Sequence, residues 1–311
     1  MRLMVKILKI AVIVPVYKQS INWSKIVSGL RKQSIHPDCV YLMLDRPQDD
    51  TAPTDALNSQ IDPNWNCIER ISKINANVTE FDIKMTVIEN IPDSLKRLNN
   101  TGNIFRAGTI RNMGLDIAVN DGCDIFIFID GDCIPQTDLV KSHVDACNTQ
   151  LPVLSIGRRR ESKYRWLDQR EVESSMMHLG LFTRKSTVIN NPELLKKCLI
   201  VWSCNMAVNK NAVKLIERFN KTYYNKDELF NSVFDGKWGG EDSFLGITAW
   251  YCRVFITSIG NMKSGVEHID HLRPESVYNL NHKQFFESQC EILRKKTTIT
   301  PISLDMLDYS K

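Results

Sequence analysis

Residues 123–135 read CDIFIFIDGDCIP. Ile125 to Ile129 are all β-branched or aromatic, and they run without a break into Asp130, Gly131 and Asp132. An unbroken apolar run of this length suits a strand covered on both faces, as in a parallel sheet with helices on each side. Ligands of such sheets bind beyond the carboxyl ends of the strands, so this strand delivers two carboxylates to the place where a ligand would sit. Carboxylates paired around a glycine are hard oxygen donors suited to Mg²⁺ or Mn²⁺, whose other positions are commonly filled by phosphate oxygens and water. That chemistry points to an enzyme acting on a nucleoside diphosphate. The same triplet also makes an ordinary turn, because Asp side chains bond their own backbone.

The segments on either side repeat the pattern. Ile10 to Val14 is a β-branched run meeting Pro15, as a buried first strand meets its loop. Ile26, Val27 and Leu30 follow at helical spacing, and Val40 to Leu44 is a second apolar run ending at Asp45. Together they predict a βαβ unit whose second strand also ends in a carboxylate. Residues 46–80 turn polar and read as a variable excursion, with a third strand over 85–89. A helix is expected around Ile110, Met113, Gly114, Ile117 and Ala118, leaving Arg111 and Asn112 off the apolar stripe. After the central strand come a helix over 137–147, with Thr137 and Asp138 serving its first turn, and a strand over 153–157. A basic run follows (Arg158, Arg159, Arg160, Lys163, Arg165) and reads as a solvated helix face. Residues 201–208 are strand-like and precede an amphipathic helix. Phe234 to Gly240 is a Gly-rich aromatic loop opening a helix at Glu241, and two late strands, 254–257 and 265–269, precede a helical, basic C-terminus.

The bulk numbers agree with a globular α/β chain. Over 311 residues, 43% are hydrophobic and 24% charged, enough for one large core. A formal net charge of +4 is too mild to argue for nucleic acid. The nine cysteines are odd in number and form no C-x-x-C pair, so neither a disulfide framework nor a zinc site is expected. Lys6 and Lys9 interrupt the N-terminal apolar run, which therefore reads as a first strand and not as a signal peptide. No stretch of about 20 apolar residues suggests a transmembrane span, and a cytoplasmic protein is the expectation.

Acidic and histidine residues thus recur at strand ends and helix starts in the order Asp45, Asp130 and Asp132, Glu241 and Asp242, His268 and His271. This order and its flanks resemble the family 2 and family 7 (galactosyltransferase-like) glycosyltransferases of the GT-A fold. The matching pieces are AVIVPVY at 11–17, AGTIRNMGLDIA at 107–118, FIFIDGDCIP at 126–135, SCNMAVNK at 203–210, FDGKWGGEDSFLG at 234–246 and VEHIDH at 266–271. The resemblance implies a single domain with a Rossmann-like, mostly parallel central sheet flanked by helices. Residues 1–135 would bind a nucleotide-sugar, 136–275 would form the acceptor and catalytic half, and 276–311 a C-terminal helical extension.

It also implies roles. Pro15, Tyr17, Asp45, Arg111 and Asp130 would lie at the nucleotide, and Trp238, Gly239 and Gly240 would cover the sugar. Asp132 would bind Mn²⁺ or Mg²⁺ with His268 as second ligand, His271 being the alternative. Asp242 would be the general base of an inverting transfer from a nucleoside-diphosphate sugar, most naturally a UDP-sugar, with Glu241 orienting the acceptor or taking the proton itself. The second strand ends in Asp45-Arg46 where many relatives carry two acids, which departs from the pattern at the base-contacting position.

Other readings predict other sequences. A nucleotidyltransferase would open with a Gly-rich loop, and VYKQSIN has no glycine. A non-catalytic nucleotide- or partner-binding protein would have lost some of these carboxylates. A DNA acceptor, such as a modified base, would use the basic run at 158–165. A saccharide or small-molecule acceptor is the expected alternative to it.

Overall fold

The computed structural model of the chain describes residues 8–17, 23–45, 84–88, 107–161, 201–235, 239–260, 262–269 and 280–296. Among them a seven-stranded sheet is built from β1 (Ile10–Tyr17), β2 (Cys39–Asp45), β3 (Lys84–Ile88), β4 (Ile125–Phe128), β6 (Val153–Ile156), β8 (Met206–Asn209) and β9 (Phe255–Ser258), in the order β3-β2-β1-β4-β8-β6-β9. The first four run parallel, β8 is antiparallel to both β4 and β6, and β9 is parallel to β6. The mostly parallel sheet expected from the apolar runs is therefore present. The reversal at β8 is new, because a hydrophobic run carries no sign of its direction.

Alternation along the strands sorts the core onto two faces. Ala11, Ile13, Phe126 and Phe128 face one side and pack with α2 (Ala107–Asn120), α4 (Lys210–Tyr224) and α5 (Glu241–Tyr251). Ile10, Val12, Val14, Ile125, Ile127 and Ile129 face the other, against α1 (Trp23–Arg31) and α3 (Leu139–Cys147). Burying both faces is what an unbroken apolar run requires. A third cluster, with Phe234, Phe244, Tyr251, Phe286 and Leu293, seats α6 (Leu280–Lys296) beside α5.

Pro15 lies inside β1 without breaking the sheet. The pairing of β1 with β4 ends at Ile13↔Phe128, and the Ile13 carbonyl accepts from Ile129 N–H at 3.1 Å. Pro15, two residues on and turned to the same side, has its missing N–H where β4 has already left.

The chain then departs into a second, three-stranded sheet: β5 (Cys133–Pro135), β10 (Val266–His268) and β7 (Arg159–Glu161), in the order β5-β10-β7. Thus the basic run at 158–160 is a strand start parallel to β10, not a helix face as its charge pattern suggested. Lys163 and Arg165 lie outside the described residues, as does all of 46–80. The first turn of α3 also differs from expectation. Asp138 makes no side-chain cap bond, and the Val140 N–H is taken at 3.0 Å by Oε1 of the buried Gln33, beyond the end of α1.

At Gly114, α2 lies directly against the sheet. A Cβ there would stand 2.6 Å from Ile13 Cγ2 and 3.1 Å from Met43 Cγ, so glycine sets the distance between α2 and strands β1 and β2. Gly114→Ala is expected to destabilise the fold by about 1–3 kcal/mol through overpacking, read as a lower urea midpoint with unchanged far-UV circular dichroism. An unchanged midpoint would mean that the helix shifts freely.

Candidate active site

The site is organised by Arg111. It sits in the second turn of α2, its side chain 4% exposed, and its Nη2 donates to Asp130 Oδ1 at 2.7 Å while Nη1 donates to Glu241 Oε1 at 3.1 Å. Asp242 Oδ1 lies 3.6 Å from the same Nη1, and the guanidinium carbon stands 5.4 Å from the centre of the Phe230 ring. One cation therefore joins the turn after β4 to the first turn of α5. Arg111 and Asn112 lie off the apolar stripe, yet both are buried. The reason is residues 229–235, which cover that side of α2. Asn112 holds them there by a two-way bond, Nδ2 donating to Phe230 O at 2.7 Å and Oδ1 accepting from Phe230 N at 2.9 Å. Thr109 Oγ1 adds a hydrogen bond to Asp235.

Two glycines shape the other wall. Gly239 (φ 78°) and Gly240 (φ 96°) both adopt positive φ, a region costly for side-chain-bearing residues, and this turn starts α5 at Glu241. The adjacent acids then diverge. Glu241 is directed to Arg111 with its side chain 6% exposed, whereas Asp242 keeps 22% exposure and accepts from Ser203 N–H at 3.1 Å.

Burial dominates the electrostatics. It raises Asp242 to about 7, with Glu241 and Asp130 adding repulsion and Arg111 and the Ser203 N–H opposing. Burial also raises Glu241, against the pull of Arg111. For Arg111, burial works against the charge, but the carboxylates of Asp130, Asp242 and Glu241 outweigh it and hold the guanidinium firmly protonated. A carboxylate titrating near neutrality is suited to taking a proton.

Asp132 and His268 meet on the second sheet. The antiparallel register pairs Cys133 with His268, and Ile269 N–H bonds Asp132 O at 2.8 Å. His268 Nε2 comes to 3.3 Å from Asp132 Oδ2. Neighbouring ligands of an octahedral ion held at about 2.1 Å stand about 3 Å apart, so this oxygen–nitrogen pair fits two adjacent positions of Mn²⁺ or Mg²⁺. No cluster of three such side chains occurs among the described residues, and a diphosphate and water would have to supply the remainder.

Other expected residues are placed only in part. Tyr17 and Asp45 are register partners at the ends of β1 and β2, two residues past Pro15↔Met43, but their side chains lie outside the described residues. Trp238 and His271 lie outside them altogether. Two arginines of the basic run are engaged internally: Arg160 pairs with Glu267 at 2.6 Å, and Arg159 lies 5.4 Å from the Trp202 ring. Sequence reasoning missed Asn112, Asp235 and Ser203. Small residues at Gly108 and Gly114 around Arg111 and Asn112 hinted at close packing, whereas a main-chain N–H such as that of Ser203 leaves no trace in residue type.

The chain matches no family model and no curated protein. Among solved structures it is similar to S. aureus TarS 1-349 in complex with UDP-GlcNAc, at 14% identity and a TM-score of 0.48, over 89% of this chain and 61% of that one. The complex of the same TarS fragment with UDP gives 15% and 0.47, over 97% and 75%. A longer TarS structure gives 16% and 0.47 over 85% of this chain, which spans 37% of that one. At this level of likeness the chemistry rests on the residues themselves. No helix of the described residues is long and apolar enough to cross a membrane.

The raised Asp242 carries a sign that can be measured. Between its ordinary value of 3.8 and about 7 the folded protein holds more protons at this group than the unfolded chain does, so stability falls as pH rises through that window. Urea midpoints from pH 4 to 8 should therefore show wild type losing ground against Asp242→Asn as pH increases. A flat difference would place Asp242 at its ordinary value.

Proposed function

We propose that the chain transfers a sugar from a nucleoside-diphosphate sugar, with UDP as the nucleotide, to a hydroxyl acceptor. The observation that carries this reading is the turn at 130–132, which sets Asp130 against the Arg111 cluster and Asp132 beside His268, so that one short loop joins a metal-type pair to a carboxylate titrating near neutrality. In this reading Asp132 and His268 hold a divalent cation, which when bound neutralises charge on the departing diphosphate. Asp130, fixed by Arg111, and the ends of β1 and β2 at Pro15, Tyr17 and Asp45 line the nucleotide.

Asp242 accepts the acceptor's hydroxyl proton. As it does so, the acceptor oxygen bonds the anomeric carbon, the bond from that carbon to phosphate oxygen breaks, and its electron pair leaves with the diphosphate. A single displacement of this kind inverts the anomeric centre. Glu241, spent on Arg111, orients the loop and leaves the proton to its neighbour. Gly239, with open space where a side chain would stand, leaves room for the acceptor beside Asp242, while Gly240 lies close against Phe234 and Phe286, and Trp238 in the same loop is the residue for the sugar face. The internal engagement of Arg159 and Arg160 favours a saccharide or small-molecule acceptor over DNA.

Two variants separate the parts. With Mn²⁺ present, UDP should raise the melting temperature of wild type, and Asp132→Ala should lose that shift. Asp242→Asn should keep the shift while kcat falls about 10²- to 10⁴-fold, the usual contribution of a general base. Near-normal kcat in Asp242→Asn with a dead Glu241→Gln would move the base to Glu241. Transfer surviving in excess EDTA would remove the cation from the scheme.

A further inference from the structure

A buried polar chain runs behind the site. His143, fully buried on α3, has Nδ1 2.7 Å from Ser155 Oγ and Nε2 2.8 Å from Asn205 Oδ1, and Ser155 Oγ lies 3.3 Å from Cys147 Sγ. Asn205, also buried, donates from Nδ2 to Arg158 O at 2.8 Å and to Ser264 O at 3.1 Å. Only an N–H can face two carbonyls, so the orientation of this amide is fixed and its Oδ1 must accept. His143 Nε2 therefore carries the proton and Nδ1 accepts from the Ser155 hydroxyl, which is free to accept from the Cys147 thiol. Every donor in the chain has one assigned acceptor. Burial agrees with a neutral ring, lowering His143 to about 4.

The far end of this chain reaches Asp242. Asn205 closes the single 3-10 turn Ser203–Asn205, its N–H bonded to Trp202 O at 3.3 Å, and its carbonyl accepts from Gly157 N–H at 2.8 Å. The first N–H of such a turn has no partner inside it, and that N–H, on Ser203, bonds Asp242 Oδ2. The space around the amide is tight as well, since a Cβ on Gly157 would fall 2.2 Å from Asn205 Nδ2.

We infer that Asn205, oriented by His143, is a positioning residue that holds the Ser203 N–H against Asp242 and so sets the carboxylate for the acceptor. The catalytic consequence rests on the transferase reading above, whereas the hydrogen bond itself does not. Loss of the anchor lets the turn move and misaligns the carboxylate, and misplacements of about 1 Å at a reacting group cost up to about 10²-fold.

The test uses the full chain with Asn205→Ala, Gly157→Ala, His143→Phe and His143→Gln, the glutamine supplying an amide N–H in place of the imidazole one. Asn205→Ala, Gly157→Ala and His143→Phe should lower kcat about 10- to 100-fold, with the Kd for UDP and Mn²⁺ changing less than about threefold, and His143→Gln should restore kcat. Amide exchange at Ser203, followed by NMR, should be slow in wild type and fast in Asn205→Ala and Gly157→Ala. A lowered melting temperature with unchanged kcat, or equal losses in kcat and UDP affinity, would overturn the inference. If wild type transfers from no UDP-sugar, the transferase reading fails by itself. Ser203 exchange still decides the positioning claim, which an unchanged rate in Asn205→Ala would sink.

Discussion

Everything at the centre of this protein depends on placing one buried guanidinium among three carboxylates. Bringing Arg111 out of water costs several kcal/mol unless its charge is matched, and Asp130 and Glu241 match it at 2.7 and 3.1 Å. The same contacts fix distant parts of the chain to one point: the turn leaving β4 and the first turn of α5. With three negative groups and one positive, the cluster cannot hold all three ionised cheaply. The misfit appears at Glu241 and Asp242, both raised, with Asp242 the farther of the two from Arg111.

The sheet explains why the carboxylates stand where they do. β4 is paired on both edges and stops at Phe128, and the chain must then turn out of the sheet to begin β5. Asp130 and Asp132 occupy that exit, one staying with the main sheet through Arg111 and the other leaving with the small sheet through His268. The small sheet joins β5 and β7 to β10, more than a hundred residues later, so the pair Asp132–His268 exists only once β10 has paired with β5.

The parts legible in the sequence were those that residue type encodes locally. Apolar runs ending in Asp45 and Asp130 marked strands and their ends, whereas the run meeting Pro15 marked a strand that continues to Tyr17, and two glycines before Glu241 marked a special turn, which the structure shows as consecutive positive φ angles. What could not be read was set by long-range contact. Arg111 and Asn112 break the apolar stripe of α2, and nothing in their neighbours announces that residues 229–235 will fold over them. Arg158 to Arg160 look like a solvated face because pairing with β10, over a hundred residues later, leaves no periodicity in three residues. The direction of β8 and the main-chain contact of Ser203 are invisible for the same reason.

The pairing of Glu241 with Asp242 can be argued one step further. Consecutive residues of a helix point about 100° apart, so two acids at its start cannot share one environment. The helix N-terminus favours both as anions, but that effect is worth only about 0.3–1 kcal/mol for an exposed group, and here desolvation prevails, because both are shifted upward. Glu241 faces inward and is committed to Arg111. Asp242, rotated away, stays 3.6 Å from Arg111 Nη1 and adds a single main-chain N–H and partial exposure. A proton arriving at this cluster can therefore go to Asp242 without breaking the close contacts of Arg111, whose charged guanidinium keeps Asp130 and Glu241 in place during the exchange.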